Sequence, residues 1–178
     1  MVTSCERTAM LSAQQYESLM ADPANIPADC VDLKLVDALV SIRFDIPVGW
    51  RTERESLPDH APPCPPDGSL WPRLTAISED GHIRLRLAVA PMQLPVGLVP
   101  AVVYWAQRYQ LDAVPENEEP WDGFPALWGW STMGEGADLR IVGAVWMQVD
   151  GSAVELLLDG PVADRDRLSA VWDLLRRS

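Results

Sequence analysis

Few residues of this sequence have the types and the spacing that catalysis or metal binding requires. His60 and Cys64 form an H-x3-C pair in a proline-rich stretch, but a zinc site needs about four ligands and the chain has only one other histidine, His82. The three cysteines, of which the other two are Cys5 and Cys30, have no repeated short spacing, so a disulfide framework is not expected. We therefore predict reduced thiols, no metal site and no cofactor.

The segment "GWSTMG", which begins at Gly129, comes nearest to a catalytic motif. A nucleophile elbow has the form G-x-S-x-G, and Met133 stands where that motif needs its second glycine. A nucleophile at Ser131 would also have to recruit His60 or His82, which both lie earlier in the chain. The sequence therefore does not predict a serine hydrolase, and we expect a protein that is not an enzyme.

Acidic residues concentrate in the stretch "DAVPENEEPWDG". Glu116, Glu118, Glu119 and Asp122 could bind a hard cation, but they lack the regular spacing and the glycine of a calcium loop. A solvated loop explains them more simply, and such a loop can also meet a basic partner. We treat the three glutamates as candidate partner-binding residues.

Tryptophans form the second candidate site, since Trp121, Trp128 and Trp130 lie within ten residues. In a strand, Trp128 and Trp130 share one face and Leu127 takes the other, and we expect Trp146 to share the face of the two indoles. If Leu127 points into a helix-covered core, this face is exposed and implies a protein partner, a ligand or a homodimer. Alternatively, the N-terminal segment or the long loop covers the face internally.

Hydrophobic periodicity predicts the elements that must position these residues. Strict alternation in "HIRLRLAVA" and "VSIRFDI" is typical of half-buried strands, and the Asp-Gly pairs at 80–81 and 150–151 suit hairpin turns. Helical spacing of apolar residues predicts helices at Pro100–Gln110 and Asp164–Arg176. Strands joined by tight turns pair antiparallel. The predicted fold class is α+β, an antiparallel sheet with both helices packed on one face as an α/β sandwich.

The length of 178 residues fits a single domain, 1–178. Residues 1–40 are predicted to form an N-terminal extension with a short helix, "AQQYESLMAD", and a strand. Residues 41–178 form the core, which is interrupted by a loop at 52–69 that contains five prolines and should be exposed.

The stretch "FDIPVGW", Phe44 to Trp50, begins as a strand and ends abruptly. Pro47 has no N–H to donate to a neighbouring strand, and Gly49 permits a sharp turn. Trp50 can then fold back over the open end of the core. We interpret the stretch as a structural end-cap, with a platform for a ligand as the alternative.

From Ile42 to Ser178 the chain resembles the Mog1/PsbP-like group. The shared features are a strand ending in Pro-x-Gly-Trp, a helix, the strand "WDGFPALWGW", a long hairpin around an Asp-Gly turn and the closing helix "VWDLLRRS". The resemblance implies a binding scaffold. The helix "LVPAVVYWAQRYQL" and the absence of a signal peptide look most like the cytoplasmic chaperones of type VI secretion effectors, which present an apolar sheet face to a hydrophobic client helix. Residues 1–40 and the proline-rich loop depart from the pattern.

Charge narrows the choice of partner. The net charge is −12 and the arginines are scattered, so phosphate backbones and anionic membrane surfaces should repel the chain. Prolines and a glycine interrupt the uncharged run between Arg86 and Arg108, so we expect no membrane span. The N-terminus lacks the pattern of a signal peptide, which predicts a cytoplasmic protein. Lys34 is the only lysine against thirteen arginines, which indicates a GC-rich, bacterial genome.

Together these observations favour a non-enzymatic protein-binding or adaptor protein, with a secretion chaperone that holds a hydrophobic client segment as its most specific form. One alternative is an acidic immunity-type inhibitor whose charged loop plugs the site of a basic toxin. A second alternative is an enzyme of unrecognised type. Whether the protein forms a homodimer stays open.

Overall fold

The structure is a computed structural model that describes residues 28–36, 40–56, 69–90, 97–149 and 151–177. Eight strands and two α-helices occupy this part of the chain. In chain order they are β1 (Ala28–Val36), β2 (Val40–Pro47), β3 (Arg51–Arg54), β4 (Trp71–Ile77), β5 (Arg84–Ala90), α1 (Leu98–Arg108), β6 (Ala126–Met133), β7 (Arg140–Val149), β8 (Ser152–Pro161) and α2 (Arg165–Arg177).

Six strands form one sheet in the order β3-β4-β5-β8-β7-β6, and each neighbouring pair is antiparallel. β1 and β2 form a separate antiparallel hairpin. The predicted turns are confirmed where they are described, because Gly81 and Gly151 both adopt the positive φ that a hairpin turn favours, 77° and 84°. The α+β class with an antiparallel sheet is therefore confirmed.

The end of β2 follows the prediction for "FDIPVGW". The strand stops at Pro47, Gly49 has a φ of 88°, and the N–H of Trp50 donates to the carbonyl of Pro47 at 3.4 Å. Trp50 is buried at the edge of the core. The chain then continues directly into β3, whose residues pair with β4, so the prediction of a loop from Thr52 onward is wrong for its first three residues. All residues of β3 are exposed, so the sequence has no alternation of apolar and polar residues there to indicate a strand. Charged, exposed residues are nevertheless common on an edge strand.

The two helices lie on opposite faces of the sheet, which corrects the prediction that they share one face. α1 packs against β6 and β7, whereas α2 packs against β8 and against β2 of the hairpin. Strand alternation explains how both faces are apolar. On β7, Ala144 and Trp146 belong to the cluster beneath α1, whereas Val145 and Met147 belong to the cluster beneath α2. Internal elements thus cover both faces.

Some predictions concern residues outside the described part of the chain. These are the N-terminal helix, the H-x3-C pair, Asp150 of the hairpin turn and residues 57–68 of the proline-rich loop. Of the predicted N-terminal extension, the described part is β1, which pairs with β2 of the core. No helix in the described residues is long and apolar enough to cross a membrane.

Candidate functional site

Four tryptophans meet between β6, the acidic loop and α2. Trp172 of α2 lies at the centre, with ring centroids 5.1 Å from Trp121, 6.1 Å from Trp128 and 4.8 Å from Trp130. Gly143 of β7 lies beneath two of these rings. A Cβ atom placed on it would lie 2.5 Å from Trp172 and 3.1 Å from Trp130. The missing side chain therefore allows the indoles to approach the sheet closely.

Trp130 differs from its neighbours because one side of its indole is open to solvent. It is 39% exposed, whereas Trp121, Trp128 and Trp172 are buried. Contact with Trp172 and Gly143 fixes the indole from the other side. A large aromatic side chain that is held rigidly and left half-open is the kind of residue that dominates protein–protein interfaces.

The exposed side of Trp130 lines a groove of about 540 Å³. Further apolar lining comes from Leu139, which directly precedes β7, from Ile141 of β7, and from Val162 of the short 3₁₀ turn before α2. Val162 is itself 47% exposed. The remaining lining residues are polar, charged or small: Asp112, Ala113, Ser131, Thr132, Arg165 and Ser169. We call this site the Trp130 groove.

The edge of β6 forms one wall of the Trp130 groove. The chain that precedes β6 runs along this edge, where the N–H of Asp112 donates to the carbonyl of Thr132 at 3.0 Å and the N–H of Asn117 donates to the carbonyl of Trp128 at 3.2 Å. The Thr132 hydroxyl also bonds to the Asp112 carboxylate. The side chain of Pro115 lies over Gly129, on the face of β6 opposite to Trp130. This cover protects the sheet edge from pairing with other chains.

The acidic loop lies next to the groove but is only partly tied to the protein. The carboxylate of Glu119 is 3.5 Å from Arg176, whose guanidinium lies 4.2 Å from the centre of the Trp128 ring. The indole N–H of Trp128 donates to the backbone carbonyl of Glu119 at 3.1 Å. Glu116 and Glu118 are exposed, and no ion pair joins them to the described residues. Of the three predicted glutamates, the structure thus brings Glu119 into contact with a predicted tryptophan, Trp128.

Trp146 does not share the face of Trp128 and Trp130, which corrects the prediction. It lies directly opposite Leu127 in the β6–β7 register, so both side chains point to the α1 face. Trp146 is fully buried and stacks on Trp105 at 6.3 Å. Among the predicted partner-binding tryptophans, only Trp130 therefore offers its indole to a partner in this conformation.

The indole N–H of Trp146 donates to the buried carboxylate of Glu155, a residue that the sequence analysis did not identify. Glu155 of β8 is fully buried, and its two oxygens accept hydrogen bonds from Trp146 Nε1 at 2.8 Å, Arg86 Nη2 at 2.7 Å and the Tyr109 hydroxyl at 3.2 Å. Burial raises the pKa of the Glu155 carboxyl, although Arg86 and the hydrogen bonds oppose the shift. These bonds satisfy the carboxylate internally, so we assign it a structural role. A lone glutamate within the apolar run "AVELLL" was the available signal.

The other candidates for chemistry lie apart from one another. Ser131 lies within β6, whereas the serine of a nucleophile elbow lies on a turn between a strand and a helix. The Ser131 hydroxyl accepts a hydrogen bond from the N–H of Ala113 at 3.0 Å. His82 is exposed and its Nδ1 lies 3.3 Å from Asp164, the residue directly before α2. Within the described residues, no group of acidic, histidine and cysteine side chains could hold a metal ion.

Neither a protein-family model nor a curated protein matches the sequence. Solved structures do match the fold. LpqN of Mycobacterium tuberculosis, described as involved in cell envelope biogenesis, aligns with a TM-score of 0.58 and 10% identity over 85% of this chain and 89% of LpqN. PA94, a Pseudomonas aeruginosa protein of unknown function, aligns with a TM-score of 0.45 and 12% identity over 81% of this chain and 91% of its own.

The solution structure of the cyanobacterial PsbP protein CyanoP from Synechocystis aligns with a TM-score of 0.52 and 13% identity, over 76% of this chain and 84% of CyanoP. At such low identity the likeness concerns the fold alone. The alignments with LpqN and CyanoP, both with a TM-score above 0.5, show that the chain has a PsbP-like fold.

Proposed function

We propose that the protein is a non-enzymatic adaptor that binds a protein partner in the Trp130 groove. The observation that carries the proposal is the half-open indole of Trp130, fixed from below by Trp172 and Gly143 and facing an apolar-lined groove. Four large apolar side chains are exposed in the described part of the chain, and two of them, Trp130 and Val162, line this groove. Such an arrangement is typical of an interaction site.

A more specific form of the proposal is a cytoplasmic chaperone that holds an apolar segment of a client, as the resemblance to type VI effector chaperones implies. The apolar lining of the groove supports the capture of an apolar side chain. The client contact differs from the predicted one, because α1 on one face and α2 with the hairpin on the other already cover the sheet. A client would therefore contact the corner beside α2 rather than the sheet face.

A second candidate function is an immunity-type inhibitor of a basic toxin. The observation in its favour is that Glu116 and Glu118 are exposed on the loop that precedes β6, in a chain with a net charge of −12. An inhibitor of this kind would bind through charge. The affinity of its complex should therefore fall steeply as the salt concentration rises from about 50 to about 500 mM. An apolar client should be far less sensitive to salt.

Selection from a peptide library tests the adaptor proposal. Random peptides displayed on phage are selected on the wild-type protein alone, and each enriched peptide is then measured for binding to Trp130→Ala and to Tyr104→Ala. Tyr104 is the matched control because it is an exposed aromatic residue on α1, on the other side of the sheet. We expect enriched peptides that contain apolar residues and lose binding to Trp130→Ala by about 2 kcal/mol or more, while they retain binding to Tyr104→Ala.

Peptides that bind Trp130→Ala as well as the wild type would overturn the proposal. Loss of binding with Tyr104→Ala alone would move the interaction surface to α1. Circular dichroism and thermal unfolding of each variant verify that a change in binding does not result from unfolding.

A further inference from the structure

We infer that the partner segment in the Trp130 groove carries opposite charges on the two sides of an apolar anchor. Its basic group lies at the Asp112 wall, and its acidic group lies at the Arg165 wall. The inference rests on the proposed function and adds the charge pattern of the partner. Two opposite charges line the groove, and in the described residues neither has an ion-pair partner within 4.0 Å.

Asp112 supplies the negative wall. It follows the turn after α1, is exposed, and is fixed at the β6 edge by the hydrogen bonds of its N–H and its carboxylate to Thr132. The N–H bond fixes the backbone, and the Thr132 hydroxyl orients the carboxylate without neutralising its charge, because a hydroxyl is uncharged. A lysine or arginine of a partner can therefore complete an ion pair at this wall.

Arg165 supplies the positive wall. It is the first residue of α2, where the helix dipole is positive and a cation is unfavourable for helix stability. Its neighbour Arg167 is used internally, since that guanidinium lies 2.7 Å from Asp80 and 3.0 Å from Asp164. Arg165 has no ion-pair partner among the described residues. Asp164 and Asp166 lie on either side of it in the chain, and Asp164 pairs with Arg167 and His82. A carboxylate of a partner can therefore pair with Arg165.

The apolar anchor of the partner segment would lie between the two walls. There it would contact Trp130, Ile141 and Val162, which line the groove. The occupant we infer is a segment of another protein rather than a second copy of this chain. Two chains that each carry a net charge of −12 repel one another, whereas a partner segment with a basic group on one side of its anchor is not repelled at the Asp112 wall.

Three labelled peptides test the inference by NMR titration of the Trp130 indole N–H signal, which is assigned by its absence in Trp130→Ala. The probes are acetylated and amidated Lys-Ser-Leu-Leu-Ser-Glu, its Lys/Lys version and its Glu/Glu version. At low salt we expect the wild type to prefer the Lys/Glu probe by about two- to fivefold over the others, the scale of an exposed ion pair.

Charge reversal supplies the decisive comparison. Asp112→Lys should prefer the Glu/Glu probe, and Arg165→Glu should prefer the Lys/Lys probe. The double variant should again prefer the Lys/Glu probe. If all three probes bind every variant equally while shifting the Trp130 signal, the inference of opposite charges is overturned and the adaptor proposal stands. If no probe shifts the Trp130 signal, both are overturned. A wild-type dimer that dissociates in Trp130→Ala would also overturn the inference, because the occupant would then be a second copy.

Discussion

The two faces of the central sheet each contain tryptophans, but they use them differently. Beneath α1, Trp146 is fully buried, stacks on Trp105, and donates its N–H to the buried carboxylate of Glu155. Beneath α2, the indoles surround Trp172 and form no such polar network among themselves, and the outermost one, Trp130, stays half-open. The tryptophans of one face are enclosed, whereas the outermost tryptophan of the other face borders a groove.

The difference shows that the role of a tryptophan depends on what lies over its strand. On the α1 face, a charged network and a helix close the site, so removal of an indole should cost stability. On the α2 face, Trp172 of the helix contacts one side of Trp130, whereas Arg165 and Ser169 of the same helix line the groove on its open side. The same residue type therefore supports the core on one face and is available for binding on the other.

The largest expected effect comes from Trp146→Ala. The change removes a fully buried indole and leaves the Glu155 carboxylate without one of its hydrogen bonds. We expect the free energy of unfolding, measured with urea, to fall by about 3–5 kcal/mol. A loss below about 1 kcal/mol would show that Trp146 does not belong to a tightly packed core.

Gly143→Ala should give the next largest effect. The added methyl group would meet the Trp172 ring at 2.5 Å and the Trp130 ring at 3.1 Å, so the indoles must move away from the sheet. We expect a loss of about 2–3 kcal/mol, typical of overpacking. Gly129→Ala is the matched control on the neighbouring strand, because its new methyl group would lie at an ordinary 3.5 Å from Pro115. Equal losses in the two variants would contradict the close approach at Gly143.

A smaller effect is expected at the outer rim of the tryptophan cluster. Arg176→Ala removes a guanidinium that lies 4.2 Å from the Trp128 ring centre and 3.5 Å from Glu119. Both interactions are partly exposed, so thermal unfolding should reveal a loss of only about 0.5–1 kcal/mol. Arg177→Ala, at the exposed end of the same helix, should stay within about 0.5 kcal/mol of the wild type. A larger loss for Arg177→Ala would refute this assignment.

The smallest expected signal concerns nucleic acids. The net charge of −12 and the absence of a clustered basic face in the sequence lead us to expect no binding of DNA or RNA at physiological salt. Fluorescence anisotropy with labelled single-stranded and double-stranded oligonucleotides checks this. An affinity better than about 1 μM would contradict the charge argument and would point to a different partner class.

Periodicity predicted most elements because each has one dominant pattern. β5 alternates, α2 has a clear apolar stripe, and the hairpin between β7 and β8 turns at Gly151, so their existence and pairing could be predicted locally. The face of the sheet on which each helix packs could not be predicted from such local patterns. β7 and β8 are apolar on both sides, so an apolar stripe on a helix fits either face equally well.

The candidate site was predictable only in part. Trp130 and the acidic loop stand out in the sequence, but Trp146 could be placed on the correct face only with the register between β6 and β7, in which it opposes Leu127. The groove itself combines Asp112, Ile141 and Arg165 from separate elements, and their proximity results from tertiary packing that no local pattern encodes.

The most direct test of the account is a paired measurement on Trp130→Ala. Its affinity for a peptide selected on the wild type is measured by calorimetry, and its free energy of unfolding is measured with urea, with Tyr104→Ala beside it. We predict that the Kd rises about 30-fold or more while stability falls by only about 1–2 kcal/mol, since the indole is already 39% exposed. An unchanged Kd together with a stability loss of about 3–5 kcal/mol would show that Trp130 is a core residue and that the groove is not a binding site.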